Sequence, residues 1–150
     1  MYTAVRVTEK WQRACVYYIR LDEMIRERLF GADGVKIELD ERDTPDAPYI
    51  LVLTDDQIPV GTCRLRYLDD KTGKIERVSV LLEYRKSGAG RVAITAAEEW
   101  LKETGVEKVV INSRDTAVGF YEKLGYVTDW DSLEILPVPF NTVNTYKSLV

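Results

Sequence analysis

The stretch Lys74 to Gly90, KIERVSVLLEYRKSGAG, joins an alternating apolar run to a small basic corner built on two glycines. Lys74 to Leu82 reads as a strand. From Ala89 to about Thr104 the residues Ala93, Ala96, Ala97, Trp100 and Leu101 share one helical face. A helix N-terminus presents unsatisfied N–H groups and roughly half a positive charge. Glycines at its entry let several N–H groups converge and remove side chains that would block an oxyanion. Arg85, Lys86 and Arg91 bring cationic charge to this corner of a chain whose formal net charge is -4. The plainer alternative is a strand-to-helix turn with solvated basic residues, and GAG by itself does not decide between the two.

Working outward, YILVLT (Tyr49–Thr54) and VGTCRLRYL (Val60–Leu68) are strand-like and lie at hairpin distance across DDQIP. With the turn DDKTG and the Lys74 strand they form an antiparallel meander. Before them, Tyr2 to Val7 alternates as a first strand. Thr8 offers a hydroxyl N-cap to a helix carrying Trp11, Ala14, Cys15 and Tyr18. Helical character extends to about Phe30, with a break near Arg20, and Gly31 and Gly34 end it. Asp40 to Pro48 is a polar loop. Downstream, Gly105 stops the Ala89 helix, VEKVVIN (Val106–Asn112) is a short buried strand, and AVGFYEKLGY (Ala117–Tyr126) is a two-turn helix stopped by Gly125. The tail holds strands around Leu133 to Leu136 and Thr142 to Leu149. This order indicates one α+β, or mixed α/β, domain over residues 1–150.

Composition narrows the function. A 150-residue chain with 45% hydrophobic and 31% charged residues is an ordinary globular domain. Net acidity argues against a nucleic-acid partner. No apolar run approaches the roughly 20 residues of a membrane span, so no membrane partner is expected. The opening MYTAVRVTEKW lacks a signal-peptide pattern, which makes a cytoplasmic location the expectation. Cys15 and Cys63 lack metal-ligand spacing and read as buried free thiols. With no histidine, Ser-His-Asp and Cys-His catalysis and most zinc sites are excluded, and no metal is expected.

Three phosphate motifs bear on the glycine corner. A Walker A loop is absent. Gly88, Gly90 and Ala93 satisfy the GxGxxA of a dinucleotide fingerprint. That fingerprint wants a ribose-binding acid about 20 residues later, where Asn112, Ser113 and Arg114 stand, and it wants βαβ units rather than hairpins. The third pattern is RxxGxG, written as Arg85, Gly88 and Gly90 directly after VSV, with FYEKLGY following one helix and one strand later. This combination resembles the GNAT superfamily of N-acetyltransferases, and most closely the small bacterial ElaA/YjcF-type branch.

The resemblance implies a mostly antiparallel twisted sheet, flanked by helices and splayed between its fourth and fifth strands. It implies acetyl-CoA as co-substrate. The pantetheine amides pair with the main chain of Val78, Ser79 and Val80 as an added strand would. The N–H groups of Arg85, Lys86, Ser87, Gly88, Ala89, Gly90 and Arg91 take the diphosphate. Asn112 bonds the cofactor, or simply caps a turn. Tyr121 matches the family's proton donor to the departing thiolate, while helical spacing with Phe120 and Leu124 equally suits a core aromatic. For the base, Glu76 comes first, with a raised pKa suiting the task. Glu83 comes second, and a water chain is the alternative to both. Arg77 is expected to pair across the sheet.

The acceptor implied is a primary amine of a small molecule or peptide. A homodimer through the tail strands follows by analogy with the family. The branch's Pro-His step near the last strand is replaced by VPFNTV (Val138–Val143), with Phe140 in the histidine's place. Phe140, Tyr17 and Tyr18 either line an aromatic pocket or pack in the core, and the core is preferred for Tyr18. A non-catalytic acyl-CoA-binding or sensing module on the same scaffold is the competing function.

Overall fold

A computed structural model describes residues 1–27, 31–138 and 140–150. Among these described residues, seven strands and four α-helices follow in the order β1 (Tyr2–Arg6), α1 (Lys10–Glu27), α2 (Gly31–Glu38), β2 (Tyr49–Thr54), β3 (Pro59–Tyr67), β4 (Thr72–Val80), α3 (Ala89–Glu103), β5 (Lys108–Arg114), α4 (Val118–Lys123), β6 (Val127–Glu134) and β7 (Thr142–Ser148). The strands are hydrogen-bonded in the order β1-β2-β3-β4-β5-β7-β6. β1–β2, β2–β3, β5–β7 and β6–β7 pair antiparallel, whereas β4 and β5 run parallel. The parallel register spans Thr72↔Lys108 to Lys74↔Val110, although β4 runs on to Val80 and β5 to Arg114. The mixed α/β expectation holds.

The chain divides into two compact units, Met1–Leu65 with Arg77–Ala97, and Arg66–Glu76 with Glu98–Val150. In the first unit, five successive residues of β2, Tyr49 to Leu53, are buried. A continuous buried run marks a strand covered on both faces rather than one. Tyr49, Leu51 and Leu53 pack with Val16 and Ile19 of α1, Val7 and Ala47. On the other side Cys63, opposite Ile50, reaches the Ala93 carbonyl of α3 at 3.7 Å. In the second unit Val109, Ile111 and Ser113 of β5 are buried and alternate with exposed Lys108 and Asn112, as a strand with one covered face requires.

Several local expectations are corrected. Thr8 does not cap α1 with its hydroxyl. Instead Gln12 reaches back, its Oε1 accepting the N–H groups of Thr8 at 2.7 Å and Glu9 at 2.9 Å. No break occurs near Arg20, since α1 is continuous from Lys10 to Glu27. Its expected end near Phe30 lies outside the described residues. Gly31 and Gly34 lie within α2 rather than ending a helix. Low glycine propensity is overridden there because arginines bind the last carbonyls of α2: Arg20 donates to Glu38 O, and Arg77 to Ile37 O at 3.4 Å. β6 starts earlier than its apolar pattern suggests, since Asp129 and Asp131 interrupt the alternation on a strand that is largely exposed. Tyr18 is not core but 59% exposed, whereas Tyr17 packs edge-on against Tyr49.

Candidate active site

The first unit carries the glycine corner. β4 is followed by a 3-10 turn, Leu82–Tyr84. The Tyr84 and Arg85 N–H groups close it onto the carbonyls of Leu81 at 2.9 Å and Leu82 at 3.3 Å. Lys86 and Gly88 are then left-handed, at φ 61° and 98°, and α3 begins at Ala89. Left-handed residues interspersed in a turn let consecutive N–H groups point toward one side and form an anion-binding concavity. The first bond of the helix joins the Val92 N–H to the Gly88 carbonyl at 3.1 Å. The Ala89, Gly90 and Arg91 N–H groups precede it and have no intrahelical acceptor. A Cβ on Gly88 would meet nothing within 4 Å. Glycine is therefore required by backbone conformation, and the space in front of it is open.

The side chains of this corner are distributed differently from the sequence reading. Lys86 and Arg91 are exposed. Arg85 turns back, with Nη2 3.6 Å from Glu23 and Nε donating to the Val80 carbonyl at 3.4 Å. The Ser87 hydroxyl accepts from the Tyr2 hydroxyl at 2.6 Å and donates to the Tyr84 carbonyl. The corner thus offers main-chain N–H groups first and the exposed cations Lys86 and Arg91 second.

β4 loses its alternation just before this corner. Gly73 and Ile75 are buried, but Glu76, Arg77 and Val78 are all half-buried, and Ser79 is buried again. The interruption coincides with Arg77, which is left-handed at φ 53°. Arg77 does not pair across the sheet with a strand neighbour as expected. Its guanidinium goes to Glu38 and Asp40, each at 3.0 Å. Val78, Ser79 and Val80 follow directly.

The second unit holds the remaining candidates. Glu76 lies 3.6 Å from Lys74 Nζ and 4.0 Å from Arg66 Nη1, so the favoured base is an ion-paired carboxylate. Glu83, the second choice, belongs to the first unit and pairs with Arg26 at 3.1 Å. Asn112 is exposed and donates from Nδ2 to Asn144 Oδ1 at 2.9 Å, across a directly opposed pair of β5 and β7. Tyr121 is buried in α4, with its ring edge-on to Phe120 at 5.0 Å and to Tyr126 at 6.1 Å. Phe140 lies under the Arg114 guanidinium at 4.1 Å, a contact a cation and an aromatic face favour.

Sequence reasoning missed an arginine–carboxylate cluster in the first unit. Arg20, fully buried, bonds Glu38 at 3.1 Å and both oxygens of Asp43 at 2.6 and 3.0 Å. Arg64 grips Asp40 at 2.9 and 3.0 Å and reaches Asp43 at 2.9 Å, and the Tyr49 hydroxyl donates to Asp43 at 2.5 Å. Burial acts to raise the Asp40 carboxyl, but bonds from Arg64 and Arg77 outweigh it and hold it well below the usual carboxylate range. Asp43 is likewise lowered, with Arg20 and Tyr49 overcoming burial. Burial, then the bond to Asp43, pushes the Tyr49 phenol far up. Its visible signals were DERD and the arginine at an inward-facing position of GTCRLR.

Known proteins agree with this architecture. The description "Acetyltransferase (GNAT) family" matches residues 7–126. A Bacillus subtilis protein assigned as an acetyltransferase is 40% identical over 68% of this chain and 69% of its own. The uncharacterised N-acetyltransferase YjcF of Bacillus subtilis is 32% identical over 82% of this chain and 84% of its own. A crystal structure of a Lactobacillus plantarum protein assigned as an N-acetyltransferase superposes with a TM-score of 0.87 at 28% identity, covering 99% of both chains. The chain belongs to the GNAT family of acetyltransferases.

Proposed function

We propose that the protein moves an acetyl group from acetyl-CoA to a primary amine of a small molecule or peptide, by direct attack in a ternary complex. The observation that carries this reading is the entry to α3: left-handed Lys86 and Gly88, open space before Gly88, and first-turn N–H groups ahead of the first helical bond. That cradle fits a diphosphate.

Acetyl-CoA, when bound, supplies an activated thioester whose carbonyl an amine attacks, with CoA leaving as thiolate. The N–H groups of Lys86 to Arg91 hold the diphosphate; that of Arg85, expected among them, is instead taken by the Leu82 carbonyl at 3.3 Å. The main chain of Val78, Ser79 and Val80 takes the pantetheine amides, and Asn112 offers a further amide contact. Holding two reactants in reacting geometry supplies much of the rate in such transfers. The Tyr121 hydroxyl gives its proton to the thiolate, as a positioned general acid does. Glu76, directly or through water, takes the proton that the amine must lose. We place the reaction in the cytoplasm, where thiols such as Cys15 and Cys63 stay reduced.

Replacing Tyr121 by phenylalanine tests the chemistry. The variant is expected to lose roughly 10²-fold or more in turnover, the usual contribution of a positioned acid, while binding acetyl-CoA almost as well as wild type. Unchanged turnover removes Tyr121 from the mechanism. A second reading, a non-catalytic acyl-CoA sensor, draws on the ion pairs that already engage Glu76. It predicts acetyl-CoA binding with no transfer to any member of a broad amine panel.

A further inference from the structure

β4 contains a residue in a conformation that strands avoid. Arg77 lies at φ 53°, in the left-handed region rarely occupied by residues other than glycine, asparagine and aspartate. Such a residue persists only where surrounding contacts over-determine it. Here they do. One guanidinium nitrogen donates to Glu38 Oε2 at 3.0 Å; the other donates to Asp40 Oδ2 at 3.0 Å and to the Ile37 carbonyl at 3.4 Å. Neither acid is free to follow Arg77 elsewhere. The other oxygen of Glu38 accepts from Arg20 at 3.1 Å, and both oxygens of Asp40 accept from Arg64 at 2.9 and 3.0 Å. Arg77 is thus anchored to groups already fixed by α1, β3 and the end of α2.

We infer that Arg77 is a positioning residue for the acyl-CoA arm: its grip on Glu38 and Asp40 holds the left-handed turn in β4 and so sets the direction of the main-chain groups of Val78, Ser79 and Val80. The inference rests on the acetyl-CoA reading above. Released from its anchors, Arg77 relaxes toward the ordinary extended region, which rotates the peptide planes that follow it and misdirects the groups expected to bond the pantetheine amides. The diphosphate cradle is built by other bonds, the 3-10 turn and the first turn of α3, and does not depend on Arg77. Linkage makes the effect reciprocal: whatever orders the end of α2 tightens acyl-CoA binding, and acyl-CoA in turn orders that segment.

Calorimetric titration of wild type, Arg77→Gln and Glu38→Gln tests this with two ligands. One is acetyl-CoA; the other is adenosine 3′-phosphate 5′-diphosphate, the portion that lacks the pantetheine arm. Each variant is expected to weaken acetyl-CoA binding by about tenfold, the size of one lost charge-assisted contact. Affinity for the nucleotide portion stays within about twofold, and Arg77→Lys, which keeps a cation within reach of the acids, recovers part of the loss. Equal losses for both ligands would mean general destabilisation and would overturn the inference, as would undiminished acetyl-CoA binding. If wild type itself fails to bind acetyl-CoA, the acetyl-CoA reading falls, and this inference with it.

Discussion

Arg20 holds both carboxylate oxygens of Asp43, at 2.6 and 3.0 Å, with neither side chain more than slightly exposed. Breaking such a buried pair costs about 3–5 kcal/mol when the other charge is left alone; Arg64 and the Tyr49 hydroxyl still hold Asp43 here, which sets the expected cost at the lower end, about 3 kcal/mol. Arg20→Ala is therefore expected to lower unfolding stability by that amount in urea titrations, with α2 and the loop to Pro48 losing hydrogen-exchange protection first. A loss below about 1 kcal/mol, the size of a surface pair, would show that the cluster is not what holds this segment.

The same cluster predicts how stability changes with acidity. Asp40 and Asp43 both titrate lower in the folded chain than in the unfolded one. A depressed carboxylate contributes its full stability above the unfolded pKa of about 3.9, and that contribution fades as pH falls toward the folded value. The Tm of Asp40→Asn should thus lie well below wild type near neutral pH, with the gap narrowing below about pH 4. A gap that stays constant through acid would contradict the assignment.

Thiol reactivity should divide between the two cysteines. Cys63 is fully buried, and burial pushes its thiol up to about 12. Burial raises Cys15 too, but that side chain is only half-buried. Since the thiolate is the reactive species, a thiol reagent should modify Cys15 first and reach Cys63 only as the chain unfolds. Modification of Cys63 in the native protein as fast as a free thiol would place it wrongly.

The path from sequence to site was legible where local rules govern and obscure where distant partners do. A short apolar run bounded by turn residues located β2 from Tyr49 to Thr54, and the glycine corner marked the start of α3 at Ala89. Gly105 and Gly125, left-handed at φ 95° and 97°, end α3 and α4 as expected. The sequence could not reveal that Gln12, rather than Thr8, satisfies the first donors of α1, because either residue type suits the task. Gly31 and Gly34 misled because Arg20 and Arg77, distant in sequence, bind the end of α2. Arg77 itself looked like an ordinary alternating strand residue. Nothing local in KIERVSV announces a left-handed backbone, which exists because of Glu38 and Asp40.

The central claim is that main-chain N–H groups following Tyr84 bind the diphosphate of acetyl-CoA. Calorimetric titration of wild type and Gly88→Glu with acetyl-CoA and with NADPH tests it most directly, since the substitution sets a carboxylate at the mouth of the cradle. The account predicts that wild type binds acetyl-CoA and binds NADPH far more weakly, and that Gly88→Glu loses acetyl-CoA binding while remaining folded. Acetyl-CoA binding that survives in Gly88→Glu, or a wild type that prefers NADPH, would contradict it.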